Sequence, residues 1–143
     1  MLNKPIVLSG DECVLPVYLN QVPAFGLFRD VFRELDPLRG AHMFVSTDAG
    51  QTWQRRGGPV KFSNPDWIEH MFVERRDGSI WMLARTKTGI LQSFSTDRER
   101  TWSEPTPLEG VGHPNARFFI RRLRRRASCW SSTATRWRRI GAA

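Results

Sequence analysis

Cysteine is scarce: Cys13 and Cys129 are the only two in 143 residues. Two thiols build neither a disulfide framework nor a zinc site. No run of 18 apolar residues occurs, which excludes a membrane-spanning helix and a membrane partner reached that way. The opening Met1-Leu2-Asn3-Lys4-Pro5 lacks the apolar stretch of an export signal, and localisation stays open. Tyrosine occurs once, at Tyr18. P-loop, dinucleotide fingerprint and metal-ligand spacing are all missing, so the sequence implies no metal and no cofactor. What is present is enough chain for one domain or part of one. Its 40% apolar and 25% charged residues suit a buried core rather than disorder.

Acidic residues are absent from one end. Residues 121–143 hold eight arginines and no Asp or Glu, so the whole net charge of +8 belongs to them. Residues 1–120 carry 14 basic and 14 acidic side chains. The tail has three readings. It is a basic arm that neutralises phosphates while Trp130 and Trp137 stack on bases, a solvated basic tail, or the product of a shifted reading frame. The third carries most weight, because Arg, Trp, Cys, Ser, Thr and Ala in dense mixture are what GC-rich DNA encodes out of frame. A permitted codon set for Ser128–Arg138, read one register over, encodes a short apolar run followed by Gly-Asp. That strand-and-turn signal would extend Phe118-Phe119-Ile120. The neutral body has no basic stripe, so nucleic acid ranks last among partners. The expected division is a folded body, 1–120, and a basic tail, 121–143, frameshifted or disordered.

Two segments of the body repeat. Ser46-Thr47-Asp48-Ala49-Gly50-Gln51-Thr52-Trp53 and Ser95-Thr96-Asp97-Arg98-Glu99-Arg100-Thr101-Trp102 agree at Ser, Thr, Asp, Thr and Trp, 49 residues apart. Each follows an apolar run, and the period is that of one four-stranded propeller unit. As hairpin turns the residues make physical sense. The Asp carboxylate accepts from backbone N–H groups ahead of it, Gly50 takes a positive φ without steric cost, and the indole packs over the turn. Glu99 stands where the first copy has Gly50, which strains the second turn or moves the positive φ to a neighbour.

This S-x-D-x-G-x-T-W pattern resembles the Asp box, or BNR repeat, of the sialidase (neuraminidase) superfamily. The first copy matches fully and the second lacks only the glycine. The resemblance covers about residues 3–122 and implies an all-β fold: a partial sialidase-like β-propeller of two to three antiparallel four-stranded blades. Asp48, Trp53, Asp97 and Trp102 then have structural roles in the box turns. Short apolar runs agree with this, at Pro5–Leu8, Cys13–Tyr18, Ala41–Ser46, Ile68–Glu74, Ser79–Arg85 and Ile90–Ser95, with Ala116–Arg122 opening another unit. Phe28, Val31, Phe32 and Leu35 fall at helical spacing and predict a short inserted helix over 25–35, ended by Pro37. A propeller has about four to eight blades, so this chain reads as a fragment. Its uncovered blade faces predict self-association.

The hairpin Ile68–Arg85 holds the best candidate site. Arg76-Asp77-Gly78 reads as a three-residue loop with Gly in the left-handed position. Pairing outward sets Val73 against Trp81, Met71 against Leu83 and Glu69 against Arg85. Glu69 and Arg85 form either a plain cross-strand ion pair or part of a site at the axial end of the propeller. The resemblance implies the second. In sialidases such a Glu assists a tyrosine nucleophile, and such an Arg is one of three that clamp the substrate carboxylate. On that basis Glu69 is the catalytic candidate and Arg85 the substrate-binding one. Arg117 and His113 are further candidates for lining the pocket, as is Asn115. Weaker candidates are Arg39, His42 and Asp66, while His70 alternates away from Glu69 and reads as a packed residue. Nothing places Tyr18 as the nucleophile.

The resemblance therefore implies an exo-α-sialidase-type glycoside hydrolase fragment, acting on or binding a terminal acidic sugar and inactive alone. The alternative is a non-hydrolytic or differently catalytic propeller that binds or cleaves uronate-containing polysaccharide. In both the partner is a carbohydrate with a carboxylate.

Overall fold

The computed structural model describes residues 3–21, 31–65, 68–112 and 116–122. Among the described residues, eight strands run β1 Ile6–Val7, β2 Cys13–Leu19, β3 Gly40–Ser46, β4 Gln54–Val60, β5 Met71–Glu74, β6 Ile80–Thr86, β7 Gly89–Ser95 and β8 Thr106–Pro107. They form two four-stranded antiparallel meanders, β1-β2-β3-β4 and β5-β6-β7-β8. The hairpin registers follow from turn chemistry. Between β5 and β6, Arg75 N–H donates to the Ser79 carbonyl (2.8 Å) and Gly78 N–H to the Arg75 carbonyl (3.2 Å). Gly78 sits at φ 81, as the expected three-residue loop requires. Met71 faces Leu83 and Val73 faces Trp81, which is the expected pairing.

Two expectations need correction. Ala116–Arg122 carries no strand; the second sheet ends at β8, so no described strand is available to pair with it. The insert between β2 and β3 holds a 3-10 helix, Arg33–Leu38, with Pro37 inside it rather than beyond it. Residues 22–30, which include Phe28, lie outside the described residues. Val31 and Phe32 are exposed, and Phe32 is left-handed at φ 62. Val31 and Phe32 precede the helix and only Leu35 of the expected stripe falls inside it, so the described part of that stripe forms no single buried helical face.

The core lies between the two sheets. Val14, Ala41, Met43, Val45 and Val60 of the first meet Phe72, Ile80, Met82, Ala84 and Leu91 of the second in one cluster. β3 and β7 each precede a box turn by the same interval, so Met43 corresponds to Gln92 and Leu91 to His42. The two sheets therefore meet through opposite, non-equivalent faces, stacked in the same sense.

Gly57 shows how tight the junction is. The register of β3 with β4 shifts between Ala41 and Met43, and Gly57 adopts φ 68 in the irregular stretch. A Cβ there would lie 2.6 Å from the Glu99 carbonyl oxygen and 3.0 Å from Trp102 Nε1. Gly57→Ala is expected to cost about 1–3 kcal/mol by overpacking, measured by urea unfolding. Gly58→Ala, which meets nothing within 4 Å, should fall within about 0.5 kcal/mol of the parent.

Candidate functional site

The two boxes fold alike. In the first, Asp48 accepts from Thr52 N–H (2.9 Å) and Thr52 Oγ1 (2.5 Å), and Ser46 Oγ donates to Asp48 (2.7 Å). In the second, Asp97 accepts from Thr101 N–H (3.0 Å), Thr101 Oγ1 (2.7 Å) and Ser95 Oγ (2.9 Å). Hydrogen bonds to the charged form, the Thr hydroxyl first, hold both carboxyls down at about 2. Ser46 Oγ accepts Gly50 N–H, and Ser95 Oγ accepts Glu99 N–H.

Glu99 does not shift the positive φ elsewhere. Ala49 and Gly50 have φ 57 and 90, and Arg98 and Glu99 have φ 57 and 61. A side chain at that position costs about 1–2 kcal/mol. In return its carboxylate reaches across the junction to Arg56 Nη1 at 3.1 Å, and Arg56 also pairs with Glu12. Burial nevertheless pushes the Glu99 carboxyl up, against the pull of Arg56.

The tryptophans differ in surroundings. The Trp53 indole donates to the Gly50 carbonyl at 3.1 Å and is exposed. The Trp102 indole lies between Phe72 (centroids 5.6 Å apart) and Gly57 of the neighbouring sheet.

At the opposite end of the sheets, Glu69 meets two arginines. It precedes β5 and is 7% exposed. Arg117 Nε donates to Glu69 Oε1 at 3.2 Å, and Arg85 Nη1 lies 3.7 Å from Glu69 Oε2. The Arg85 side chain is 12% exposed and that of Arg117 55%. Glu69 Oε2 and Arg85 Nε are buried without a hydrogen-bond partner among the described residues. Native structures leave few such atoms unpaired, and those they do leave call for an explanation. A buried carboxylate flanked by a partly buried and an exposed guanidinium leaves Arg donors that can meet an incoming anion.

The structure thus brings Glu69, Arg85 and Arg117 together. His113, Asn115 and Asp66 lie outside the described residues. Arg39 binds Asp36 (2.6 Å) and donates to the Asn20 carbonyl (2.8 Å), strapping the 3-10 helix. His42 Nε2 donates to the Leu38 carbonyl, and burial lowers its pKa. No described contact joins Arg39 or His42 to Glu69. His70 is buried on the face away from Glu69; its Nε2 donates to the His42 carbonyl at 3.0 Å, and desolvation lowers its pKa to about 4. Asn3 is a residue the sequence does not single out. Its Nδ2 donates to the His70 carbonyl at 2.8 Å, a contact 67 positions apart that no local pattern announces.

Comparison with known proteins agrees with the repeats. The BNR repeat-like domain family matches residues 1–125. No curated protein matches. A variant of the NanB sialidase from Streptococcus pneumoniae is similar over 75% of this chain and 14% of its own, at 27% identity and a TM-score of 0.55. Two other likenesses are of fold alone. The intramolecular trans-sialidase from Ruminococcus gnavus, solved with oseltamivir carboxylate, is 23% identical with a TM-score of 0.53, over 75% of this chain and 19% of its own. A protein of unknown function from Dyadobacter fermentans is 18% identical with a TM-score of 0.56, over 77% and 28%. This chain therefore spans well under a third of each of these structures. It belongs to the BNR repeat-like domain family, is related to the sialidases, and folds as two sheets similar to sialidase propeller blades.

Proposed function

We propose that these sheets contribute an acid and two arginines to a site for a terminal acidic sugar, within a sialidase-like retaining glycoside hydrolase. The observation that carries this reading is the buried Glu69 carboxylate between Arg85 and Arg117, with Glu69 Oε2 and Arg85 Nε lacking a hydrogen-bond partner among the described residues. In this role Glu69 takes the proton of a tyrosine nucleophile supplied by another part of the propeller. Arg85 and Arg117 hold the sugar carboxylate, a task suited to a planar two-pronged donor.

The purified chain alone is expected not to turn over a fluorogenic sialoside above a Glu69→Gln control. It is expected to bind a sialic-acid-terminated trisaccharide in saturation-transfer NMR, with Arg85→Met weakening binding about tenfold or more. Lactose should give no signal. Binding of a uronate-ended oligosaccharide in place of the sialoside would move the substrate to uronate polysaccharides. A folded chain that binds neither would overturn the proposal.

A further inference from the structure

Glu69 lies outside the hydrogen-bonded ladder. The pairing of β5 with β6 begins at Met71 and Leu83, and Arg85 is paired on its other side with Ile90 of β7. Sheet hydrogen bonds therefore do not fix the backbone of residues 68–70. Something else must, if the carboxylate is to stay between two arginines that come from separate parts of the chain.

The neighbouring residue supplies it. His70 points to the opposite face, is 2% exposed, and stands edge-on to Phe72 with centroids 5.2 Å apart. Its ring donates to the His42 carbonyl in β3 of the first sheet (3.0 Å), and its own carbonyl accepts from Asn3 Nδ2 (2.8 Å). One residue beside Glu69 is thus tied through its side chain to the sheet next door and through its backbone to the segment that leads into that sheet. A carbonyl only accepts, so Nε2 carries the proton and the neutral ring serves as donor.

We infer that His70 and Asn3 are positioning residues for the Glu69–Arg85–Arg117 cluster, anchoring the entry to β5 so that the Glu69 carboxylate is preorganised between its arginines. The inference rests on the acidic-sugar reading for its purpose, but its geometry can be tested without any sugar. Burial of His70 then has a use beyond packing: an apolar side chain of similar size would fill the space without fixing the strand entry.

The test reads the Arg117 Nε–Hε group by 15N NMR in the ligand-free chain, assigned with Arg117→Lys. Its hydrogen bond to Glu69 reports where the carboxylate sits. In Asn3→Ala and His70→Phe the Nε–Hε proton is expected to exchange with water about fivefold to tenfold faster, the equivalent of one weakened hydrogen bond. His70→Gln, whose amide also donates, should restore the parental rate. A backbone amide spectrum identifies folded variants. If His70→Phe does not fold, Asn3→Ala decides. Parental exchange in folded Asn3→Ala overturns the inference. So does failure of His70→Gln to rescue a folded His70→Phe. Failure of sugar binding leaves this readout untouched, so the two proposals fall separately.

Discussion

Trp102→Ala is expected to destabilise the chain by about 2–4 kcal/mol, close to the range for buried aromatic truncations, while Trp53→Ala costs under about 1 kcal/mol. The two tryptophans close the same turn in the same sequence context, so local structure predicts equal effects. Packing separates them. Trp102 fills the space between Phe72 and Gly57, where its loss opens a void at the junction of the sheets. Trp53 is exposed and gives up one indole hydrogen bond to Gly50. Urea unfolding of the two variants checks this. Equal losses would place the energy of the box in the turn itself rather than in the contact across the junction.

Stability is expected to fall as pH drops from about 6.5 to about 4, with His70 the main cause. The sign follows from which state binds the proton. Within that window the unfolded imidazole is charged and the folded one neutral, so unfolding takes up a proton and acid favours it. The contribution of His70 is complete above the unfolded value of 6.5 and lost as pH falls through about 4. Its full size is about 3 kcal/mol, at 1.36 kcal/mol for each pH unit of difference. His42, also lowered by burial, works in the same direction. Glu99 opposes them, since its raised pKa favours the folded chain in acid. The difference between the parent and His70→Gln isolates His70, because glutamine keeps a donor and does not titrate. A parallel pH dependence in the two proteins would refute the assignment. Below pH 3.8 a second loss begins as Asp48 and Asp97, held at about 2, take up protons.

The box turns and the β5–β6 hairpin are legible in the sequence because their information is local. Asp97 finds Thr101 four residues on, and Asp77-Gly78 closes a loop whose geometry admits one register. Counting outward from that loop is enough to set Glu69 beside Arg85. Arg117, a sequence candidate for the same pocket, joins them from a segment without regular structure, so its direct pairing with Glu69 is visible only in three dimensions. β4 is hard to see for a different reason. Gln54-Arg55-Arg56-Gly57-Gly58-Pro59 has no alternating apolar residues, and its strand character comes from pairing with β3 as an outer strand, where proline is tolerated. The apolar stripe of Val31, Phe32 and Leu35 misleads in the other direction. It has the spacing of an α-helix, but Val31 and Phe32 lie in a turn before the 3-10 helix Arg33–Leu38, and both are exposed. The tie from Asn3 to His70 depends on two sheets meeting, and spacing along the chain carries no record of it.

The unlike faces through which the sheets meet give the stack a direction. The side of the first sheet that carries Met43 has no copy of itself on the side of the second sheet it covers. A third sheet could extend the series at either end only if it arrived with the same polarity as the two already there. One laid down in reverse would bring like face against like face and lose the fit between Gly57 and the following corner. The sense in which a further sheet could be added is thus written into the one junction described.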